Sequence, residues 1–173
     1  MLNIICIING ELEENCYIIH NKKDALIVDP GSEEDKIYKV IDELKLTVKG
    51  ILVTHYHFDH VLCLDKVKGK YKVDIIDYNN RNNISGFNYE IIENYGHTMD
   101  SVSFYFKKEK IMFTGDFVFM GSIGKYDSDN EEIMYESLKR FCKLDDDIVI
   151  YPGHGPSSTI GYEKDNNYFL RGI

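Results

Sequence analysis

Ile51-Leu52-Val53-Thr54-His55-Tyr56-His57-Phe58-Asp59-His60 reads as an apolar strand that runs directly into a loop of metal-ligand side chains. Three imidazoles and one carboxylate fall between His55 and His60. The chain holds six histidines, and two more stand in similar small-residue turns, His97 in Gly96-His97-Thr98 and His154 in Pro152-Gly153-His154-Gly155. Only His20, in the charged turn His20-Asn21-Lys22-Lys23-Asp24, lies outside the pattern, and no functional role is expected for it. Ligand-type residues at the ends of several strands call for a fold that brings those ends to one edge.

Working outward, the first third of the chain reads as short β-branched runs, Leu2 to Ile8, Cys16 to Ile19 and Ala25 to Val28, with Asn9-Gly10 as a hairpin signal. Ser32 stands as N-cap to an amphipathic helix over 33–46, whose apolar positions are Ile37, Val40, Ile41 and Leu44. After His60 a short helix or turn spans Val61 to Val67. Strands follow at Lys72 to Ile76, Phe87 to Ile92, Val102 to Phe106 (half-buried, at period two) and Ile111 to Phe113. A second helix covers Glu131 to Cys142 with Ile133, Met134, Leu138 and Phe141 on its inner face, and Asp147 to Tyr151 is the last strand. Two sheets packed face to face with helices outside satisfy this α+β pattern. Tyr56 and Phe58, between the ligands, are read as packing residues.

With 173 residues and 43% apolar content, the chain is read as one domain spanning 1–173, with a core that needs neither disulfides nor a structural metal. Twenty Lys+Arg against 29 Asp+Glu give a net charge of −9, which disfavours nucleic-acid partners. Cys6, Cys16, Cys63 and Cys142 form no C-x-x-C pair and stand among apolar or aromatic neighbours, as small hydrophobes. The run Asp145-Asp146-Asp147 is a solvated turn. With no signal segment and no membrane-length apolar stretch, a cytoplasmic protein with no membrane partner is expected, its oligomeric state left open.

The ligand count closes on two ions. His55 and His57 aim at one ion, with His97 as the third imidazole. Asp59 and His60 turn to a second ion, with His154 completing it. Asp116, in Phe113-Thr114-Gly115-Asp116, has two oxygens and can bridge both. Nitrogen and oxygen donors without thiolate suit zinc, iron or manganese and do not choose among them; zinc is the first expectation. Two such ions would hold a water or hydroxide between them, lower its pKa toward neutrality and polarise a substrate carbonyl. Asp59 and Asp116 are therefore catalytic candidates. Asp59 is also a candidate proton shuttle.

Thr54–His60 resembles the T-H-x-H-x-D-H motif of the metallo-β-lactamase superfamily. Asp29-Pro30-Gly31, Gly96-His97-Thr98, Thr114-Gly115-Asp116 and Pro152-Gly153-His154-Gly155 resemble its other blocks, in order. Asn15-Cys16-Tyr17, Phe117 through Gly124 and Gly155 through Lys164 are similar to its small hydroxyacylglutathione-hydrolase (glyoxalase II)-like branch. The resemblance implies an αββα sandwich, two mixed sheets flanked by helices. It implies a binuclear hydrolase acting on a small-molecule thioester, without the helical C-terminal domain that grips glutathione in true glyoxalase II. Ser122 and Lys125, after the bridging carboxylate, are the candidate substrate contacts, Lys125 standing where the branch commonly has Arg. After His60 the chain reads Val61-Leu62-Cys63-Leu64, where the family usually has small residues. Rival activities on the same scaffold are lactonase, phosphodiesterase or β-lactamase, and a persulfide dioxygenase using a single iron.

Overall fold

The computed structural model describes residues 2–173. Two five-stranded sheets carry the architecture. In the first, β1 (Asn3–Asn9), β2 (Glu14–His20), β3 (Asp24–Val28), β4 (Thr47–Leu52) and β5 (Ile75–Ile76) lie side by side in chain order. Here β1, β2 and β3 pair antiparallel, and β3, β4 and β5 parallel. In the second, β6 (Glu90–Glu93), β7 (Val102–Phe106), β8 (Ile111–Gly115), β11 (Val149–Pro152) and β12 (Ser158–Thr159) take the order β12-β11-β8-β7-β6. Its β8–β11 pair alone is parallel. A two-stranded hairpin, β9 (Val118–Phe119) with β10 (Ser122–Ile123), stands apart. Both large sheets are mixed, as expected.

Side-chain alternation along each strand builds three apolar layers. In β2 and β3, Cys16, Ile18, Ala25 and Ile27 point outward, onto α1 (Glu34–Glu43) and α3 (Leu64–Tyr71), where Ile37, Ile41, Leu64 and Val67 cover them. The alternate residues Tyr17, Ile19, Leu26 and Val28 point inward and meet Phe104, Phe106 and Phe113 of the second sheet. Tyr17, Phe113 and Tyr151 pack ring on ring there, with centroids 5.1–5.6 Å apart, the spacing at which aromatic pairs attract. The outer face of the second sheet, Tyr105, Met112 and Ile150, is covered by α4 (Glu131–Phe141) and α5 (Ile160–Asn166). The order of layers is thus αββα.

Several local expectations change. The helix after Gly31 starts at Glu34, and its N-cap is Glu33 in the left-handed region with no side-chain cap, so Ser32 does not serve. The strand over 72–76 shrinks to two residues because Lys72 is the left-handed C-cap of α3. The strand over 87–92 begins only at Glu90. Val102–Phe106 is buried throughout, because α4 covers the face that alternation had assigned to water. Ser103 on that face is satisfied by Asn94 Nδ2 at 2.5 Å. Ile133 is 37% exposed. Ser137 takes the inner position and donates to Tyr95 O at 2.8 Å. Asp147–Tyr151 is not the last strand; β12 and α5 follow, with Thr159 capping α5 through Tyr162 N. With α2 (Phe58–Val61) the described residues hold five α-helices, not two or three. Of the four thiols, Cys6 is exposed, contrary to its reading as a packed hydrophobe.

Candidate metal centre

Each candidate side chain is delivered by a strand end. β4 leads through Val53 into Thr54, His55 and His57, and His57 is the N-cap of α2, which carries Asp59 and His60. β8 ends in Gly115 and delivers Asp116; β11 ends at Pro152 and delivers His154; the turn before β7 delivers His97. These ends lie at one edge of the sandwich, and the seven expected residues come together there. His55, His57 and His97 form one ligand-sized group and Asp59, His60 and His154 another. Asp116 stands between them: Oδ1 is 3.2 Å from His60 Nε2 and 3.7 Å from His154 Nε2, while Oδ2 is 3.7 Å from His97 Nε2. The backbone approach is tight: a Cβ on Gly153 would run into Asp116 and His60, and one on Gly115 (φ +53) would run into Thr54.

The outward nitrogens decide the tautomers. His97 Nδ1 meets Lys125 O at 2.6 Å, and His154 Nδ1 meets Leu12 O at 3.0 Å. A carbonyl oxygen only accepts, so both Nδ1 atoms carry the proton. His60 Nδ1 donates in the same way to Asp29 Oδ2 at 3.0 Å. The Thr54 hydroxyl donates to Asp29 Oδ2 at 2.6 Å and is left to accept from His55 Nδ1 at 3.1 Å. Four Nε2 lone pairs therefore turn inward. His57 offers Nδ1 instead, 3.1 Å from His55 Nε2 and 2.9 Å from His97 Nε2. Bare acceptors crowded together with no donor among them repel unless a cation or protons lie between them. Among the described residues, His60 Nε2 and Asp116 Oδ1 are buried without a hydrogen-bond partner. These orphaned atoms and the donor set fit divalent cations.

Electrostatics agree. Burial, then the charge on His60, holds His55 down to about 2, so it stays a neutral donor. Burial opposes charge on His60, yet the carboxylates of Asp116, 3.2 Å from Nε2, and Asp29, on Nδ1, lift it to about 11. A proton there fills the place that an ion would take. Burial opposes charge on Asp116 too, but His60 and the other imidazoles bring it down to about 2.

Residue types alone did not single out the outer supports. Asp29 was legible only as part of a block, with no role attached. It sits in the left-handed region (φ +48), directly before a proline, and accepts from Thr54 N at 2.7 Å, Thr54 Oγ1 and His60 Nδ1. Strain of this kind, about 1–3 kcal/mol, persists where surrounding contacts overdetermine it. The Leu12 and Lys125 carbonyls carry no sequence signal at all. Glu14 is buried beside His60 with both carboxylate oxygens unpartnered among the described residues, and burial, against the pull of His60, pushes it up to about 10. Of the two expected substrate contacts, Lys125 is exposed and tied to the site through its carbonyl on His97. Ser122 is exposed on β10 opposite Phe119, whose ring lies 6.1 Å from His154. Among the described residues, neither side chain bonds to the seven. That hairpin is held by buried Glu163, which accepts from Gly121 N at 2.8 Å, Asn167 Nδ2 at 2.9 Å and the Ser158 hydroxyl. Phe58, read as a packing residue, is instead 67% exposed because its helix turns it away from both cores, and Tyr56 reaches Asp77 through its hydroxyl.

Known proteins match this arrangement. The profile of the metallo-beta-lactamase superfamily matches residues 9–81 and 80–154. Hydroxyacylglutathione hydrolase GloC of Haemophilus influenzae is 32% identical, covering 98% of each chain. Probable metallo-hydrolase YqgX of Bacillus subtilis is 30% identical, covering 95% of each. The crystal structure of BLEG-1 B3 metallo-beta-lactamase superposes with a TM-score of 0.92 at 27% identity, covering 98% of this chain and all of that one. TTHA1623 in a di-iron-bound form gives a TM-score of 0.87 at 26% identity, covering 96% of this chain and all of its own. The αββα layers, the ordered loop blocks and these full-length matches together show that the chain belongs to the metallo-beta-lactamase superfamily of hydrolases, on its glyoxalase II-like branch.

Proposed function

We propose that the chain is a thioester hydrolase of hydroxyacylglutathione-hydrolase type with two divalent ions, zinc before iron or manganese. His55, His57 and His97 would hold one ion, Asp59, His60 and His154 the other, with Asp116 shared. The observation that carries the reading is the set of inward lone pairs around a carboxylate that turns one oxygen to each imidazole group. When bound, the ions supply an acidified water at neutral pH and Lewis-acid polarisation of the substrate carbonyl.

The chain's own groups do the rest. The thioester carbonyl sits on the side of His55, His57 and His97. Water adds to the carbonyl carbon, the C–S bond breaks, and a carboxylic acid and a thiol leave. A thiolate is a good leaving group and needs no general acid beside it. Asp59, beside the second ion, would accept the proton that the attacking water sheds. Lys125, exposed next to His97, and Ser122, on the hairpin near His154, are the proposed contacts to the thiol-bearing part. The relative named hydroxyacylglutathione hydrolase GloC supports the substrate class.

The test is turnover of S-lactoylglutathione and simple thioesters by metal-loaded protein, beside a lactone, a phosphodiester and a β-lactam. Thioester cleavage that disappears in His57→Ala is expected. Activity that survives that substitution, or preference for another ester class, overturns the assignment.

A further inference from the structure

Three large apolar side chains stand in water beside the candidate metal centre. Leu12 is 53% exposed, Phe58 67% and Leu62 64%. They come from the β1–β2 loop and from α2 with its C-cap, yet line one cleft of about 350 Å³ together with Asp59. The loop is fixed to the centre, because Leu12 O holds His154 Nδ1 at 3.0 Å and Asn15 N bonds Gly153 O at 2.7 Å. Exposed apolar side chains gathered in one cleft mark a binding site more often than chance.

We propose that this cleft is an acyl-chain subsite, so that the preferred substrates are thioesters of aliphatic acids of medium length; the inference rests on the thioester reading. Two observations select the acyl chain over the thiol carrier as occupant. The cleft is at the small end of ligand pockets, suited to a short hydrocarbon tail and not to a peptide or nucleotide carrier. Among the described residues no basic side chain lines it, while Glu11 does, beside the ligand Asp59, so nothing there pairs with a carrier's carboxylates or phosphates. Lys125, whose carbonyl bonds His97 and whose side chain is exposed, carries the opposite charge for that carrier. A substrate whose carbonyl lies at the metal cluster would then run its acyl chain past Asp59 between Leu12, Phe58 and Leu62.

The experiment uses zinc-loaded, full-length protein with acetyl, butanoyl, hexanoyl and octanoyl thioesters of N-acetylcysteamine, an uncharged thiol. kcat/KM should climb about four-fold per methylene until the cleft is filled. Leu62→Asp should cut the hexanoyl-to-acetyl ratio at least ten-fold, and so should Leu12→Asp. Leu44→Asp, at an exposed leucine that ends α1, should leave the ratio unchanged. A second readout is independent of turnover: hexanoate titrated into methyl-labelled protein should shift the Leu12 and Leu62 resonances, and Leu62→Asp should abolish the Leu12 shift. Thioester cleavage with a flat chain-length profile overturns the subsite and leaves the thioester reading standing. Methyl shifts without cleavage of any thioester support the subsite and overturn that reading. Neither cleavage nor shifts overturns both.

Discussion

Asp29 accepts from His60 Nδ1 at 3.0 Å, and through that bond a residue that touches no substrate sets the direction of a metal-facing lone pair. The same carboxylate holds Thr54 by both its N–H and its hydroxyl, and Thr54 in turn faces His55. One buried side chain thus orients a donor in each of the two ligand groups.

Replacing Asp29 should therefore weaken both ions while leaving every ligand in place. Asp29→Asn is expected to lower metal affinity roughly 10–100-fold, the usual effect of removing an outer partner of a ligating histidine. Asp29→Ala should add a loss of thermal stability, because Thr54 N is left buried without an acceptor. Competition with a chromogenic chelator measures the first effect and calorimetry the second. Unchanged affinity in both variants contradicts the orienting role.

The pH dependence of the metal-free protein has a definite sign. His60 holds its proton up to about 11 in the fold against 6.5 for a free imidazole, so the stability it contributes is whole below pH 6.5 and is lost as pH rises toward 11. Glu14 acts in the same direction from lower pH: buried and protonated to about 10, it costs more the further pH rises above 4.5. His55, kept neutral down to about 2, contributes stability above 6.5 that fades as pH falls below it. Between pH 4.5 and 6.5 the last two offset each other, and above 6.5 His60 and Glu14 add. Calorimetry on chelator-treated protein should show Tm falling from pH 7 to pH 10, less steeply in Glu14→Gln. A Tm that rises over that range refutes the account.

Metal loading inverts part of this. The ion takes the place of the His60 proton, so loading at pH 7 should release protons and tighten as pH rises. Titration calorimetry in two buffers of different ionisation enthalpy measures the release. Loading without proton release means that His60 does not ligate.

Gly153→Ala tests the close packing of the centre. Its Cβ would collide with Asp116 and His60, so metal content should fall while far-ultraviolet circular dichroism stays unchanged. Full metal occupancy in this variant would show that the loop has more room than the contacts allow.

Much of this was legible because the His55–His60 loop, Asp116 and His154 each follow an apolar run, and because His97 stands in a turn of the same small-residue style, a local pattern visible without the fold. The layer order was expected from short apolar runs with amphipathic helices among them and from the family blocks, whereas the all-apolar run Cys16 to Ile19 did not tell which of its residues face the helices and which the second sheet. What stayed hidden depends on long-range docking. Asp29 meets His60 across 31 positions, and Leu12 meets His154 across 142, through a carbonyl that any residue would provide. Val102–Phe106 looked half-buried because alternation shows the strand's two faces but not the helix that comes to cover one of them. Ile133 lost the inner face of α4 to Ser137 because the register of docking, not apolarity alone, fixed the helix's rotation. Phe58 was hidden for the same reason: an aromatic between ligands has no sequence mark that tells a core wall from an open cleft.

The most direct test of the two-ion centre is metal stoichiometry by mass spectrometry on protein purified without chelators and then dialysed against zinc, iron or manganese. The account predicts two equivalents per chain, falling in His57→Ala and in His154→Ala. A count of one would contradict the shared role of Asp116, and a count of none would contradict the centre itself.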